Sequence, residues 1–207
     1  FQTEDGEIDL SKLKPGKIKT HTGVEYYVLK PEFHDLLKFC ERGPAVVLPK
    51  DFGAIVANTN LKAGDKVLDA GTGSGWMASQ LAYFGCKVVS YEKRKDFYEL
   101  AKRNFKFLGV KVEAHNKELR NPKEEFDLMF LDMLEPTKIE NFSVKKGGYV
   151  VAYLPHFAQV KEFCRYVKSK GLFVEKILET IETEYRLSRK KKSIGHTAYL
   201  VFCRKVC

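Results

Sequence analysis

Asp69, Gly71, Gly73, Gly75 and Glu92 are the residues of this chain whose types and spacing point to chemistry. Most of them fall in the segment Lys66-Val67-Leu68-Asp69-Ala70-Gly71-Thr72-Gly73-Ser74-Gly75. There a short apolar run ends in an acid and breaks into a G-x-G-x-G turn. Glycine in such a turn permits positive φ and lets a ligand come close to the backbone. Glu92 ends a second apolar run, Val88-Val89-Ser90-Tyr91, seventeen residues after Gly75. A carboxylate so placed can accept both hydroxyls of a ribose. Together the residues describe a site for a nucleoside. No Lys-Ser/Thr pair follows the glycines, which argues against a P-loop. A plain packing turn would account for one or two glycines, but not for the acid, three glycines and the distal Glu92 together.

Such residues need a strand, a tight turn and a helix to hold them, and the pattern around them supplies these. Strands are expected at 66–69, 87–91, 111–114, 126–131 and 148–152. Helices are expected at 75–84, 95–108, about 136–141 and 156–170. Strand–helix alternation implies a parallel sheet with helices on both faces, and ligands bind at the carboxyl ends of its strands. The last third departs from this rule. Leu172–Thr183 and Thr197–Phe202 both read as strands, pairing antiparallel through a basic connection at Arg186–Lys192. Upstream, residues 1–31 read as a small β unit and 32–207 as the main domain. Helical spacing recurs at 32–40 and 51–59.

The chain has 207 residues, a net charge of +9 and a pI near 9.2. That length allows one α/β domain with a small appendage. The charge points to a polyanionic partner, nucleic acid above all, or to the Lys-rich surface of proteins from hot environments. No apolar run reaches the roughly 20 residues of a membrane span, and no secretory leader is expected. The first residue is Phe1, so an earlier start is expected to be missing or processed. Five scattered cysteines lack metal-site spacing and suit buried thiols in a reducing, cytoplasmic setting.

The pattern Asp69-Ala70-Gly71-Thr72-Gly73-Ser74-Gly75 resembles the S-adenosylmethionine loop of class I methyltransferases. Their mostly parallel seven-stranded sheet closed by an antiparallel hairpin matches the alternation above. Further motifs resemble one family, the tRNA adenine-N1 methyltransferases of archaeal and bacterial type. They are Arg42-Gly43-Pro44-Ala45-Val46-Val47-Leu48-Pro49-Lys50-Asp51, Asp127-Leu128-Met129-Phe130-Leu131-Asp132-Met133-Leu134-Glu135-Pro136, Ala152-Tyr153-Leu154-Pro155 with Gln159, and Gly195-His196-Thr197-Ala198-Tyr199. Pro49-Lys50-Asp51 and His196-Thr197 are more specific than the glycine loop. The chain departs from the family at Ala45, where Gln is common, and at Leu48, where a ring residue is common. It departs again at Met133-Leu134-Glu135. Of the family's larger N-terminal barrel only the latter portion is expected.

The resemblance implies transfer of a methyl group from S-adenosylmethionine to N1 of adenine 58 in the tRNA T-loop, with adenine 57 in some relatives. It also implies a homotetramer; neither metal, membrane nor DNA is expected to take part. Asp132, at the end of the fourth strand, is the candidate catalytic carboxylate; a helix N-cap is its other reading. The backbone of Gly71, Thr72, Gly73, Ser74 and Gly75, with Asp69, is expected to hold the cofactor, and Glu92 its ribose. Phe97 either flanks the adenine or packs in its helix. Asn116 and Glu118 compete for the adenine amine, with Glu118 preferred. Tyr153 and His196 either meet a flipped base or are satisfied core residues. Arg189, Lys190 and Lys191 contact phosphate or form a solvated turn. Protein L-isoaspartate O-methyltransferase, whose cofactor loop looks much like Gly71–Ala82, is the alternative, followed by a non-catalytic RNA-binding subunit.

Overall fold

The computed structural model describes residues 1–43, 45–186 and 189–206; of Lys12, Arg186 and residues 189–192 it describes the backbone alone. The chain divides into two compact units, Phe1–Phe39 and Cys40–Cys207.

The first unit holds two small antiparallel ladders, β1 (Gln2–Thr3) with β2 (Gly6–Glu7) and β3 (Gly16–Lys19) with β4 (Glu25–Val28). Helix α1 (Phe33–Phe39) follows. Side-chain bonds brace it: Tyr26 donates to Asp5 Oδ2 at 2.6 Å, and the Glu7 amide donates to His21 Nδ1 at 2.8 Å.

The second unit opens with α2 (Pro49–Asn58), which starts on a proline whose missing N–H no helix start needs. Strand and helix then alternate: β5 (Lys66–Ala70), α3 (Trp76–Tyr83), β6 (Lys87–Tyr91), α4 (Lys95–Leu108), β7 (Glu113–His115) and β8 (Phe126–Leu131). β9 (Val144–Leu154), α5 (Phe157–Ser169) and β10 (Leu172–Glu179) come next. The ribbon β11 (Glu182–Arg186) with β12 (Arg189–Ile194) precedes β13 (Tyr199–Lys205). The seven-stranded sheet has the order β10-β13-β9-β8-β5-β6-β7. β13 alone runs against its neighbours, and the other adjacent pairs are parallel. This is the mostly parallel, doubly wound sheet expected from the alternation, closed by the antiparallel strand that the resemblance to class I methyltransferases implies.

Period-two alternation sorts the central strands onto two cores. Val67, Leu128, Phe130 and Val151 pack with Ile55, Leu81 and Phe105 on one face. Leu68, Met129, Leu131 and Val150 pack with Val160, Phe163 and Val167 on the other. β5 and β8 are therefore covered on both sides, which is why they read as continuous apolar runs. The α4 C-terminus closes on Gly109 in the left-handed region at φ 67°.

Two expectations need correction. The helix expected about 136–141 is a single 3-10 turn, Pro136–Lys138. Ile139 and Phe142 have helical spacing, but both are drawn into the core beneath α5, where Tyr166 donates to the Ile139 carbonyl at 2.6 Å. The basic connection after Leu172–Thr183 is not a loop alone. β10 stops at Glu179, and β11 and β12 form their own antiparallel ladder, Glu182 opposite Ile194. No helix among the described residues is long and apolar enough to cross a membrane.

Candidate active site

Strand order reverses between β5 and β8, and the crevice at their carboxyl ends is where a doubly wound sheet binds ligands. A cavity of about 250 Å³ lies there. Its wall includes Gly71 and Gly73 after β5, Glu92 after β6 and Asp132 after β8. The loop after β5 is fixed by backbone bonds. The amides of Gly71 and Thr72 donate to the Tyr91 carbonyl at 2.9 and 3.2 Å, and Gly75 N–H donates to the Thr72 carbonyl at 2.8 Å. Gly71 (φ 90°) and Gly75 (φ 81°) hold backbone angles that L side chains resist. A Cβ on Gly71 would stand 1.8 Å from the Asp132 carbonyl oxygen. The two loops that wall the cavity thus touch where only glycine fits.

Glu92 is buried, and its carboxylate accepts from the Gly73 amide at 2.9 Å and the Arg94 amide at 2.9 Å. Each oxygen takes one bond, so each keeps lone-pair capacity for a ligand hydroxyl. Asp69 lies beneath the loop, 1% exposed, and does not line the cavity. Its Oδ2 accepts from Ser90 at 2.6 Å, and its Oδ1 has no partner among the described residues. Burial pushes its carboxyl up to about 7; the Ser90 hydrogen bond opposes the shift and the Glu92 charge adds to it. Thr72 shares a 2.5 Å hydrogen bond with the same Ser90. Ser74 is buried, and its carbonyl accepts from Asn104 Nδ2 at 2.8 Å.

Phe97 lines the cavity, with the Arg94 guanidinium 3.7 Å from its ring centre. Glu118 lines it too and accepts two bonds from Arg120, which hold its carboxyl below the ordinary range. Asn116 is turned away, its amide donating to the Glu92 carbonyl at 2.8 Å. The Asp132 amide donates to the Ala70 carbonyl at 2.8 Å, while its carboxylate accepts no hydrogen bond from the described residues. Burial first, then the charges of Asp69 and Glu92, push that carboxyl up to about 7.

Tyr153, near the end of β9, is buried and off the cavity wall. Its hydroxyl donates to Asp51 Oδ2 at 3.4 Å. Both ring nitrogens of His196 face acceptors: Glu179 Oε1 at 2.5 Å and the Pro155 carbonyl at 2.9 Å. Two acceptors favour two N–H groups, and they raise the pKa of the ring above its ordinary value, the Pro155 carbonyl first and then Glu179. Its ring centre lies 4.7 Å from that of Tyr199, with the planes tilted by 52°. The side chains of Arg189, Lys190 and Lys191 lie outside the described residues; their backbone belongs to β12.

Asn104 escaped the reading of motifs, and so did the pairing of Lys50 with Asp51 inside a motif that it quoted. Asn104, 2% exposed on α4, exchanges hydrogen bonds with the Glu41 backbone at 3.0 and 2.8 Å while holding Ser74. It ties the loop bearing Gly43 and Ala45, which also line the cavity, to the glycine turn. An amide among the buried positions Ala101 and Phe105 was the available signal. Lys50 and Asp51 form a buried pair on the first turn of α2.

The donor set fits a nucleoside bearing a positive charge. It offers glycine backbone, an acid with free lone pairs, an aromatic ring, and carboxylates whose mutual repulsion a cation relieves. A family model described as ribosomal RNA adenine dimethylase matches residues 49–127. Fold and site define a class I S-adenosylmethionine-dependent methyltransferase. The tRNA (adenine(58)-N(1))-methyltransferase TrmI of Thermus thermophilus is 35% identical over 206 residues, spanning 92% of this chain and 81% of its own length. The chain belongs to the tRNA adenine-N1 methyltransferase family. The tRNA (adenine(57)-N(1)/adenine(58)-N(1))-methyltransferase TrmI of Methanocaldococcus jannaschii is 29% identical, over 99% of this chain and 87% of its own. Among solved structures, an S-adenosylmethionine-dependent O-methyltransferase of Thermotoga maritima superposes with a TM-score of 0.86 at 30% identity. It covers all of this chain, which spans 85% of that one. Protein-L-isoaspartate O-methyltransferase of Pyrococcus abyssi, at 29% identity, covers 62% of this chain.

Proposed function

We propose that this chain transfers a methyl group from S-adenosylmethionine to N1 of adenine in the T-loop of tRNA, at position 58 and at 57 as a second target. The observation that carries this reading is the Asp132 carboxylate, which accepts no hydrogen bond from the described residues and shares a cavity with Gly71, Gly73 and Glu92. Gly71–Gly75 and Glu92 would hold the cofactor, Phe97 and Glu118 would meet its adenine, and Asp69 would brace the loop through Ser90. When bound, S-adenosylmethionine supplies an electrophilic methyl group and a positive charge. N1 of adenine is already nucleophilic, so the protein's task is alignment and charge management. Asp132 accepts a hydrogen bond from the exocyclic amine of the base and stabilises the positive charge that methylation creates. Tyr153 backs the base, His196 steadies the loop at Pro155 through its ring hydrogen bond, and Arg189, Lys190 and Lys191 reach phosphate. A homotetramer in the cytoplasm completes the proposal, with residues 1–31 as part of an N-terminal β unit.

Methyl transfer from labelled cofactor to an unmodified tRNA transcript tests this, with an isoaspartyl peptide in parallel and the tRNA nucleosides identified by mass. N1-methyladenosine in the tRNA is the expected product. Label in the peptide alone would replace this reading with carboxyl methylation.

The chemistry requires ionised Asp132, whose carboxyl sits at about 7. The rate at subsaturating tRNA is therefore expected to rise with pH and level off above about pH 7, and Asp132→Asn should remove that dependence. Stability takes the opposite sign. Asp69 and Asp132 are both raised from 3.8. Their contribution is full below about pH 4 and is lost as pH rises through about 7. Melting curves between pH 5 and 8 should show a shallower loss in Asp69→Asn and Asp132→Asn than in the parent.

A further inference from the structure

The Lys50–Asp51 pair lies off the cavity wall, and the function proposed above gives it no task. Its ammonium and carboxylate are 2.9 Å apart, with the two side chains 6% and 0% exposed. Burying two charges costs desolvation that their attraction does not reliably return, so apolar residues would anchor α2 as well. What the pair provides is direction. The Thr180 hydroxyl accepts from Lys50 Nζ at 2.9 Å and donates to Asp51 Oδ1. The Thr197 hydroxyl does the same on the other side, accepting from Nζ at 2.7 Å and donating to Oδ2 at 3.0 Å. Lys50 also donates to the Thr180 carbonyl at 2.9 Å. Each hydroxyl therefore spans both ions, a bonding role that serine can fill and valine cannot.

The two threonines mark a particular place in the fold. Thr180 stands just before β11 and Thr197 just after β12. Between them the ribbon forms a two-stranded sheet of its own, outside the ladder of the seven-stranded sheet. Its direction is accordingly set at its roots. Its sequence carries Arg186, Arg189, Lys190, Lys191 and Lys192. A third hydroxyl on Asp51, after those of Thr180 and Thr197, is that of Tyr153, at 3.4 Å from Oδ2. Tyr153 also lies in the field of Asp132. Its phenol is pushed up by burial above all, with Thr197 opposing and the charges of Asp51 and Asp132 adding.

We infer that Lys50 and Asp51 are positioning residues that clamp both roots of the basic ribbon Glu182–Ile194 to Tyr153, so that RNA held on the ribbon meets the site in one register. The inference rests on the tRNA reading for what the ribbon holds; the clamp itself rests on the hydrogen bonds alone. Both threonine hydroxyls are required, because each closes one root onto the ion pair.

The test is Thr180→Val/Thr197→Val beside Thr180→Ser/Thr197→Ser, with the intact ion pair in both. In the valine variant kcat for methyl transfer to the tRNA transcript should fall about 10–100-fold, the scale set by lost alignment. Cofactor binding by calorimetry should stay within about three-fold, because no glycine-loop contact is touched. The serine variant should recover most of the rate. Wild-type kcat in the valine variant overturns the inference. So does parallel loss of cofactor binding, which would make the pair a plain element of the fold. If the double variant does not fold, Thr197→Val against Thr197→Ser carries the same comparison. Hydrogen exchange at the amides of 180–184 and 194–197 reads the clamp without turnover. Exchange about ten-fold faster in the valine variant supports it, and unchanged exchange overturns it. A wild-type protein that leaves the transcript unmethylated would overturn the tRNA reading, and the exchange result would still decide the clamp.

Discussion

Replacing Asp132 with alanine is expected to lower kcat for methylation of a tRNA transcript by about 10²–10³-fold, a range typical of a lost charge-stabilising or proton-accepting group. Cofactor affinity should change little, since the glycine turn and Glu92 are bonded independently of the Asp132 side chain. The same variant should be at least as thermally stable as the parent near neutral pH. Asp132 sits in a desolvated place beside Asp69 and Glu92, and it is those surroundings that push its carboxyl up to about 7. Removing it relieves repulsion while deleting function, the usual trade at a site kept for chemistry. Three measurements decide the matter: turnover, cofactor calorimetry and a melting curve. A variant with unchanged turnover would sink the catalytic role. One that is inactive and also melts far lower would make Asp132 structural.

Gly71→Ala should be the most damaging single-methyl change in the cofactor loop. Its added carbon would lie 1.8 Å from the Asp132 carbonyl oxygen and 2.7 Å from the carbonyl carbon, at φ 90°. Both obstacles are backbone, so one of the two cavity loops must move bodily. A cost of at least about 3 kcal/mol is expected from strain and displacement together. For a chain of this size that corresponds to a melting point lower by about 6–12 °C. Cofactor affinity should fall with it, because the displaced loops are cavity walls. Gly73→Ala is the internal control. Its nearest neighbour would be 3.9 Å away, at φ 55°, leaving only the left-handed backbone cost of about 1–2 kcal/mol. Equal stability of the two variants would contradict the argument.

How much of this was legible in the chain itself depended on how far apart the interacting residues are. The glycine turn and Glu92 are joined by a bond spanning nineteen residues within one strand–helix–strand unit, and both could be read from composition and spacing. Asp132 was legible as the acid closing an apolar strand. Lys50 was visible as part of a motif, but its partners Thr180 and Thr197 lie 130 and 147 residues away, beyond any local pattern. The separate ribbon was missed for a related reason. Glu182–Arg186 alternates much like the strand before it, and only pairing reveals that β10 has stopped and a second ladder begun. The turn at Pro136–Lys138 shows the converse error. Apolar spacing of helical type arose there from two plugs, Ile139 and Phe142, filling the core from a non-helical backbone.

β13 lies between β9 and β10 in the sheet, although β10 precedes it in the chain by some twenty residues. During synthesis β9 and β10 therefore leave the ribosome with no partner for their facing edges. Between them stays a slot that Tyr199–Lys205 fills in the finished sheet. Until then the nascent chain carries unpaired backbone flanked by Val150, Ala152 and Leu154, a template for foreign strands. Sheet closure is thus a late event in the life of each molecule. Premature termination before Tyr199 would yield a sticky fragment, not a shorter enzyme, with the facing edges of β9 and β10 left unpaired.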